Sequence, residues 1–192
     1  CVLRASITKK ELMINLVTTS SEDITRALLL DFIRKMKGLQ TEFELVSIFH
    51  TTNDAASDAV IPEKLELLYG REYLVEELHG LIFHVGPFSF FQPNVLGASN
   101  LYQQAISFVG DLTGKTVYDL YCGTGTITQL IAKKAQRVIG IEIVEEAVEK
   151  AKESAELNHI VNAKFIAGDV LKELDTLVEH EDYPEVITID PP

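Results

Sequence analysis

At 192 residues, 46% of them apolar, the chain can bury the core of one medium domain or of two small ones. The formal net charge of −12 is weighted to the second half, where residues 97–192 carry 16 acids against 8 bases, so taken alone it argues against the basic face a nucleic-acid partner demands. Two cysteines, no secretory leader and no apolar run long enough for a bilayer point to a reducing cytoplasm and no membrane, and neither the cysteines nor the five histidines have metal-ligand spacing.

Residues 2–19 alternate apolar and polar around Thr8-Lys9-Lys10, which predicts a β-hairpin. Ser20-Ser21-Glu22-Asp23 then supplies a helix cap with early acids. Ile24, Leu28, Phe32 and Met36 recur every four residues until Gly38 stops the helix. A second β stretch spans Phe43 to Thr51, and Asn53 to Ala59 reads as a loop. From Leu65 to Gln92 come three short β-like runs separated by Gly70, Gly80 and Gly86. Residues 1–90 are therefore expected to form a small mixed α+β domain with scattered charges.

Phe88-Ser89-Phe90-Phe91-Gln92-Pro93-Asn94 precedes a helix expected over Val95 to Val109. The phenylalanines suit a core, whereas the amides of Gln92 and Asn94 beside Pro93 are placed to face something across a cleft. Beyond Asp111 strand and helix alternate: strand 116–121, helix 125–135, strand 137–142, helix 144–158, strand 163–167, helix 170–179 and strand 185–189. In the second of these helices Val144, Ala147, Val148, Ala151 and Ala155 share one side, and its many charges make a solvated face. The alternation builds a parallel sheet with ligand positions at the carboxyl ends of its strands.

The run Thr116-Val-Tyr-Asp-Leu-Tyr-Cys-Gly-Thr-Gly-Thr126 reads as a buried strand turning sharply into a helix. Gly123 and Gly125 remove Cβ atoms where backbone must approach a ligand, as in a nucleotide pocket. A dinucleotide fingerprint needs a third glycine three residues after the second, and Thr126, Ile127 and Thr128 stand there. Acids mark the strand ends instead. Asp119 lies four residues before the first glycine, where a carboxylate suits an ammonium better than a pyrophosphate. Glu142 ends the next strand, where it can accept both hydroxyls of a ribose. Gly168-Asp169 and Asp190-Pro191-Pro192 follow at the later strand ends.

Taken together, Phe90-Phe91-Gln92-Pro93-Asn94, Asp119-Leu-Tyr-Cys-Gly-Thr-Gly-Thr126, Glu142, Asp169 and Asp190-Pro191-Pro192 resemble the RNA (uracil-C5-)methyltransferases that make 5-methyluridine in ribosomal or transfer RNA. The resemblance covers nearly the whole chain and implies a Rossmann-like α/β fold that binds S-adenosyl-L-methionine, with RNA as partner, ribosomal before transfer. Residues 1–90 would be the family's central domain, and 91–192 the first part of its methyltransferase domain. Its cofactor contacts would fall on Gln92, Tyr121, Thr126, Glu142, Asp169 and Asp190, around the turn of Gly123 and Gly125. Glu142 would take the ribose hydroxyls, Asp169 the adenine amino group, and Gln92 and Thr126 the methionine end, while Asp190 can serve cofactor, target base or both. In that family a cysteine thiolate adds to uracil C6, C5 attacks the sulfonium methyl, and a general base removes the C5 proton. Both groups are expected beyond Pro192, in a longer protein of which this chain is a piece, so the piece alone should be inactive. Cys122, in the cofactor turn, is expected to be structural. Two alternatives remain open: an amino-group methyltransferase using an Asp-Pro-Pro-aromatic motif, and a cofactor-binding module that docks RNA without chemistry.

Overall fold

The computed structural model describes residues 1–21, 24–54 and 63–191. The chain divides into two compact units, Cys1–Glu77 with Phe83–Phe91, and Leu78–Ile82 with Gln92–Pro192.

In the first unit β1 (Val2–Ser6) and β2 (Glu11–Thr18) form the expected antiparallel hairpin. A helix, α1 (Arg26–Lys37), crosses over to β3 (Glu44–Thr52), which runs parallel to β2, and β4 (Lys64–Gly70) closes the sheet antiparallel to β3. The order is β1-β2-β3-β4. A separate two-stranded ribbon follows, β5 (Leu74–Leu78) with β6 (Leu81–Val85). Its buried residues alternate as Leu74, Glu76, Leu78 and Leu81, Phe83, Val85, all apolar except Glu76.

Two expectations for α1 are corrected. Its cap is Thr25, whose Oγ1 accepts from the Leu28 amide, because Ser20 is taken by the Asp54 carboxylate through both its amide and its hydroxyl; Glu22 and Asp23 lie outside the described residues. Its inner face runs through Leu29, Phe32, Ile33 and Met36, with Leu28 56% exposed. A repeat of four drifts off a 3.6-residue helix, so Leu28 rotates into solvent. Within the expected loop Asn53 and Asp54 are irregular, and Ala55 to Ala59 lie outside the described residues.

In the second unit α2 (Val95–Val109) leads into a parallel sheet built from β7 (Thr116–Leu120), α3 (Thr126–Ala132), β8 (Arg137–Glu142), α4 (Glu145–Leu157), β9 (Ala163–Ala167), α5 (Val170–Glu179) and β10 (Val186–Ile189). The order β10-β7-β8-β9 shows that the chain winds outward from β7 and returns to its other side. This is the expected Rossmann-like α/β arrangement, and the reversal falls beside β7.

Strand periodicity divides the core between two faces of this sheet. Tyr118, Leu120, Ile139 and Ile141 pack with Val170, Leu174 and Leu177 of α5. On the opposite side Phe165 packs with Val148, Ala151 and Ala155 of α4. Val117, Val138, Ile141 and Val148 are wholly buried, each contributing about 1.5–3 kcal/mol of burial. The charged side of α4 pairs Lys150 with Glu153 and Lys152 with Glu149 in solvent. No described helix is long and apolar enough to cross a membrane.

Candidate functional site

Register brings the marked residues to one edge of the second unit's sheet. Leu120 of β7 is level with Ile141 of β8 and Ile189 of β10, and Glu142 with Ala167 of β9. Tyr121, Glu142, Gly168-Asp169 and Asp190 therefore emerge from four neighbouring strand tips, spread over about 14 Å at the usual strand spacing. The reversal of strand order between β7 and β10 opens a crevice there.

The turn after β7 is held in an unusual backbone. Tyr121 has φ 62°, rare for a side chain of its size, and is 37% exposed; Gly123 and Gly125 follow at φ 54° and 75°. The two glycines differ in what fixes them. A Cβ on Gly125 would lie 2.6 Å from the Phe165 ring and 2.9 Å from Ala151, so packing beneath the turn forbids it. A Cβ on Gly123 would meet nothing within 4 Å, which leaves bare backbone facing open space. Thr126 opens α3, and no side chain caps that helix at Gly125.

Glu142 ties this turn to the next strand. Its carboxylate accepts from the Gly123 amide at 3.1 Å and from the Val144 amide at 2.9 Å, one bond to each oxygen. Each oxygen keeps a further lone pair for a hydroxyl. Its own carbonyl accepts from Gly168 N at 2.9 Å, which fixes the tip of β9 beside it. Asp169 caps α5, its Oδ1 accepting from Leu171 and Lys172 at 3.1 Å each, and leaves Oδ2 for another partner.

On the β10 side sequence reasoning missed a tyrosine, Tyr102, which bonds the Gln92 side chain and feels the Asp190 charge. Burial raises the Tyr102 phenol above its usual pKa; a hydrogen bond with the Gln92 side chain opposes this, and the nearby Asp190 charge reinforces it. Tyr102 belongs to the buried face of α2 with Val95, Ala98 and Ile106. It is the only one of those four with a polar tip, which is the signal that was available. Asn94, expected to face the cleft, instead caps α2 through the Gly97 amide at 2.9 Å.

Asp119 is also placed differently from expectation. It points into the sheet, 1% exposed, and its two oxygens accept from Thr128 Oγ1 at 2.5 Å and Thr188 Oγ1 at 2.7 Å. Burial pushes its pKa up, with the two hydroxyls opposing and the Asp190 charge adding to the rise. A carboxylate so deeply buried braces β7, α3 and β10; it is not open to a ligand's ammonium. Cys122 sits behind the turn, where burial and then the charges of Asp119 and Glu142 push its thiol to about 12, so it is no nucleophile at neutral pH. Among the described residues no three His, Cys, Asp or Glu side chains gather as a metal site.

A cavity of about 520 Å³ lies elsewhere in the second unit, lined by Thr116, Arg137, Asn162, Ala163 and Lys164. Those residues start β7, β8 and β9, at the end of a parallel sheet opposite to where its ligands sit.

Residues 111–190 match the family described as Methyltransferase domain. Over 191 residues, all of this chain, it is 47% identical to an uncharacterised RNA methyltransferase of Clostridium tetani and 49% identical to one of Caldanaerobacter subterraneus. The chain spans 41% of the length of each. Among solved structures it is similar to the Pyrococcus abyssi tRNA (uracil-54, C5)-methyltransferase in complex with S-adenosyl-L-homocysteine. The TM-score is 0.65 at 27% identity, over 87% of this chain and 38% of that one.

Proposed function

We propose that this chain, whose residues 111–190 match the methyltransferase-domain family and which is similar along its whole length to RNA methyltransferases, is the cofactor-binding part of an enzyme that methylates uridine at C5 in RNA. The observation that carries the reading is the row of strand tips holding Tyr121, the Gly123 backbone, Glu142, Asp169 and Asp190 beside the strand-order reversal.

These groups suit S-adenosyl-L-methionine. Gly123 offers the bare backbone a flat ligand needs, and Glu142 has acceptor capacity left for two ribose hydroxyls. Asp169 keeps Oδ2 for the adenine amino group. Gln92 and Thr126 take the methionine end, where the uncapped start of α3 receives a carboxylate. Tyr121 lines the turn, and Gly125 lets that turn close over Phe165. When bound, the cofactor supplies an electrophilic methyl on a sulfonium. This chain's residues orient it and leave Asp190, next to Gln92 and Tyr102, at the side where a target base would enter.

Phe90 supports RNA as the acceptor. It is 73% exposed and Phe88 is 37% exposed, while Phe91 alone of the three packs inward, against Phe83 at 5.7 Å between ring centres. Exposed aromatic faces two and four residues before Gln92 suit an unstacked base. The family resemblance favours ribosomal over transfer RNA as the substrate class, and assigns the nucleophilic cysteine and general base to a part of the enzyme outside this chain.

The test uses the full-length protein and RNA labelled with tritium at uridine C5. Release of tritium in step with methyl incorporation is expected, and Glu142→Ala should weaken S-adenosylhomocysteine binding by about 10- to 100-fold, the worth of hydrogen bonds to a charged group. Methyl incorporation without tritium release would move the acceptor to an amino group. Unchanged affinity in Glu142→Ala would take Glu142 out of the site.

A further inference from the structure

Arg4 differs from the other arginines of the described residues. Arg26, Arg34, Arg71 and Arg137 each meet a carboxylate, Glu66, Asp31, Glu11 and Asp182 respectively. Arg4 meets none. Its Nη1 donates to the Ser89 carbonyl at 2.8 Å, and that bond is its one polar contact among the described residues. The side chain is half-buried on β1, and burial draws its pKa below the usual value. In a chain with 29 acids against 17 bases, a partly desolvated guanidinium without a carboxylate is conspicuous, since pairing partners are abundant.

Its position gives the missing partner a chemical class. Ser89 belongs to the loop between Gly86 and Phe91, where its own hydroxyl accepts from the Gly86 amide at 3.1 Å and holds the loop's shape. The Ser89 carbonyl therefore anchors the guanidinium to the segment that carries exposed Phe88 and Phe90. Gln92 follows three residues later, within about 11 Å along the chain. A guanidinium has five N–H donors in a planar fork, so four remain after the bond to Ser89. That fork matches a phosphodiester, and in RNA a phosphodiester accompanies every base.

We propose that Arg4 is a phosphodiester-binding residue for the RNA substrate, pre-oriented by the Ser89 carbonyl beside the aromatic loop that leads into Gln92. This rests on RNA being the acceptor, as argued above. The competing role is structural, a clamp that only tethers the loop to β1.

Salt dependence separates the two, because a phosphate contact releases counterions and a loop clamp does not. With the full-length protein and a uridine-containing single-stranded RNA, binding is measured by fluorescence anisotropy over a salt series for wild type, Arg4→Gln and Arg4→Lys. Calorimetry with S-adenosylhomocysteine reports on the fold. Arg4→Gln should reduce the slope of log K against log salt by about 0.7, one phosphate on a single strand, with S-adenosylhomocysteine affinity unchanged. A wild-type slope in Arg4→Gln overturns the proposal, whatever happens to affinity. If that variant fails to fold, Arg4→Lys decides. A several-fold weaker affinity at the wild-type slope supports a bidentate phosphate contact, and wild-type affinity overturns it. Wild-type protein with no salt-dependent RNA binding would overturn the RNA reading itself, and Arg4 with it.

Discussion

Asp119 shows how one buried side chain can be read correctly in type and wrongly in task. Its place four residues before Gly123 suggests a ligand contact, yet both oxygens are taken by Thr128 and Thr188. Asp119→Asn should cost no more than about 1 kcal/mol, because the amide can accept from one hydroxyl and donate to the other. Asp119→Ala removes the shortest bond of each hydroxyl and opens a cavity beside them, leaving Thr188 only its 3.4 Å contact with the Tyr118 carbonyl, and should cost about 2–4 kcal/mol. Urea unfolding of the two variants measures the difference, and equal losses would mean that hydroxyl pairing is not what the carboxyl provides. Glu142, Asp169 and Asp190 were legible because acids at the tips of alternating strands announce themselves by position alone. Thr128, Thr188 and Tyr102 were not: Thr188 lies 69 residues from Asp119, and for Thr128 and Tyr102 only the turn between one element and the next decides that they face Asp119 and Gln92.

At the level of elements the alternation of apolar and charged residues was enough. Helix α2, strands β8 and β9 and helix α5 span the residues expected of them. What periodicity could not show is how the ribbon tip is fastened within the second unit. Asn158 ends α4 and treats Ile82 as a strand neighbour would: its Oδ1 accepts from Ile82 N at 2.7 Å and its Nδ2 donates to Ile82 O at 2.8 Å. The same Nδ2 lies 3.0 Å from Gln129 Oε1 and 2.9 Å from Ser154 O. An asparagine after a helix ordinarily reads as a cap, so the long-range half of its role is invisible in sequence. Asn158→Ala should destabilise the unit by about 2–3 kcal/mol through unpaired polar groups. Amide exchange at Ile82 should quicken, and unchanged protection there would show that the ribbon is held by other contacts.

Across the whole molecule the shifted groups give stability an alkaline limit. Burial first, then neighbouring charge, pushes Cys122 from an ordinary 9.0 to about 12; burial and the bond to Asp182 push Tyr118 from 10.0 to about 12. The folded chain keeps these protons where the unfolded chain has lost them. Their contribution is therefore complete below about pH 9 and lost as pH rises through about 12. One such proton is worth about 1.4 kcal/mol per pH unit, so the melting temperature should fall by about 3–6 °C per unit above pH 9. Cys122→Ala should flatten that slope in a melting series at several pH values, and an unchanged slope would exclude Cys122 as a source. In acid the signs divide. Asp182, held down chiefly by its bond from Arg137, stabilises above its ordinary 3.8 and ceases to do so as pH falls, whereas burial-raised Asp119 runs the other way.

The bond from Thr188 to Asp119 joins neighbouring strands of the sheet whose residues lie 69 apart in the chain, with β8 and β9 coming between them in sequence. Closing so long a loop costs chain entropy before it returns any contact, so β10 is expected to dock after β7, β8 and β9 have found one another. Until it does, Asp190 is absent from the crevice and Asp119 lacks one hydroxyl. Ligand competence would then be the last property acquired during biogenesis, and a chain emerging from the ribosome would hold a sheet before it held a site.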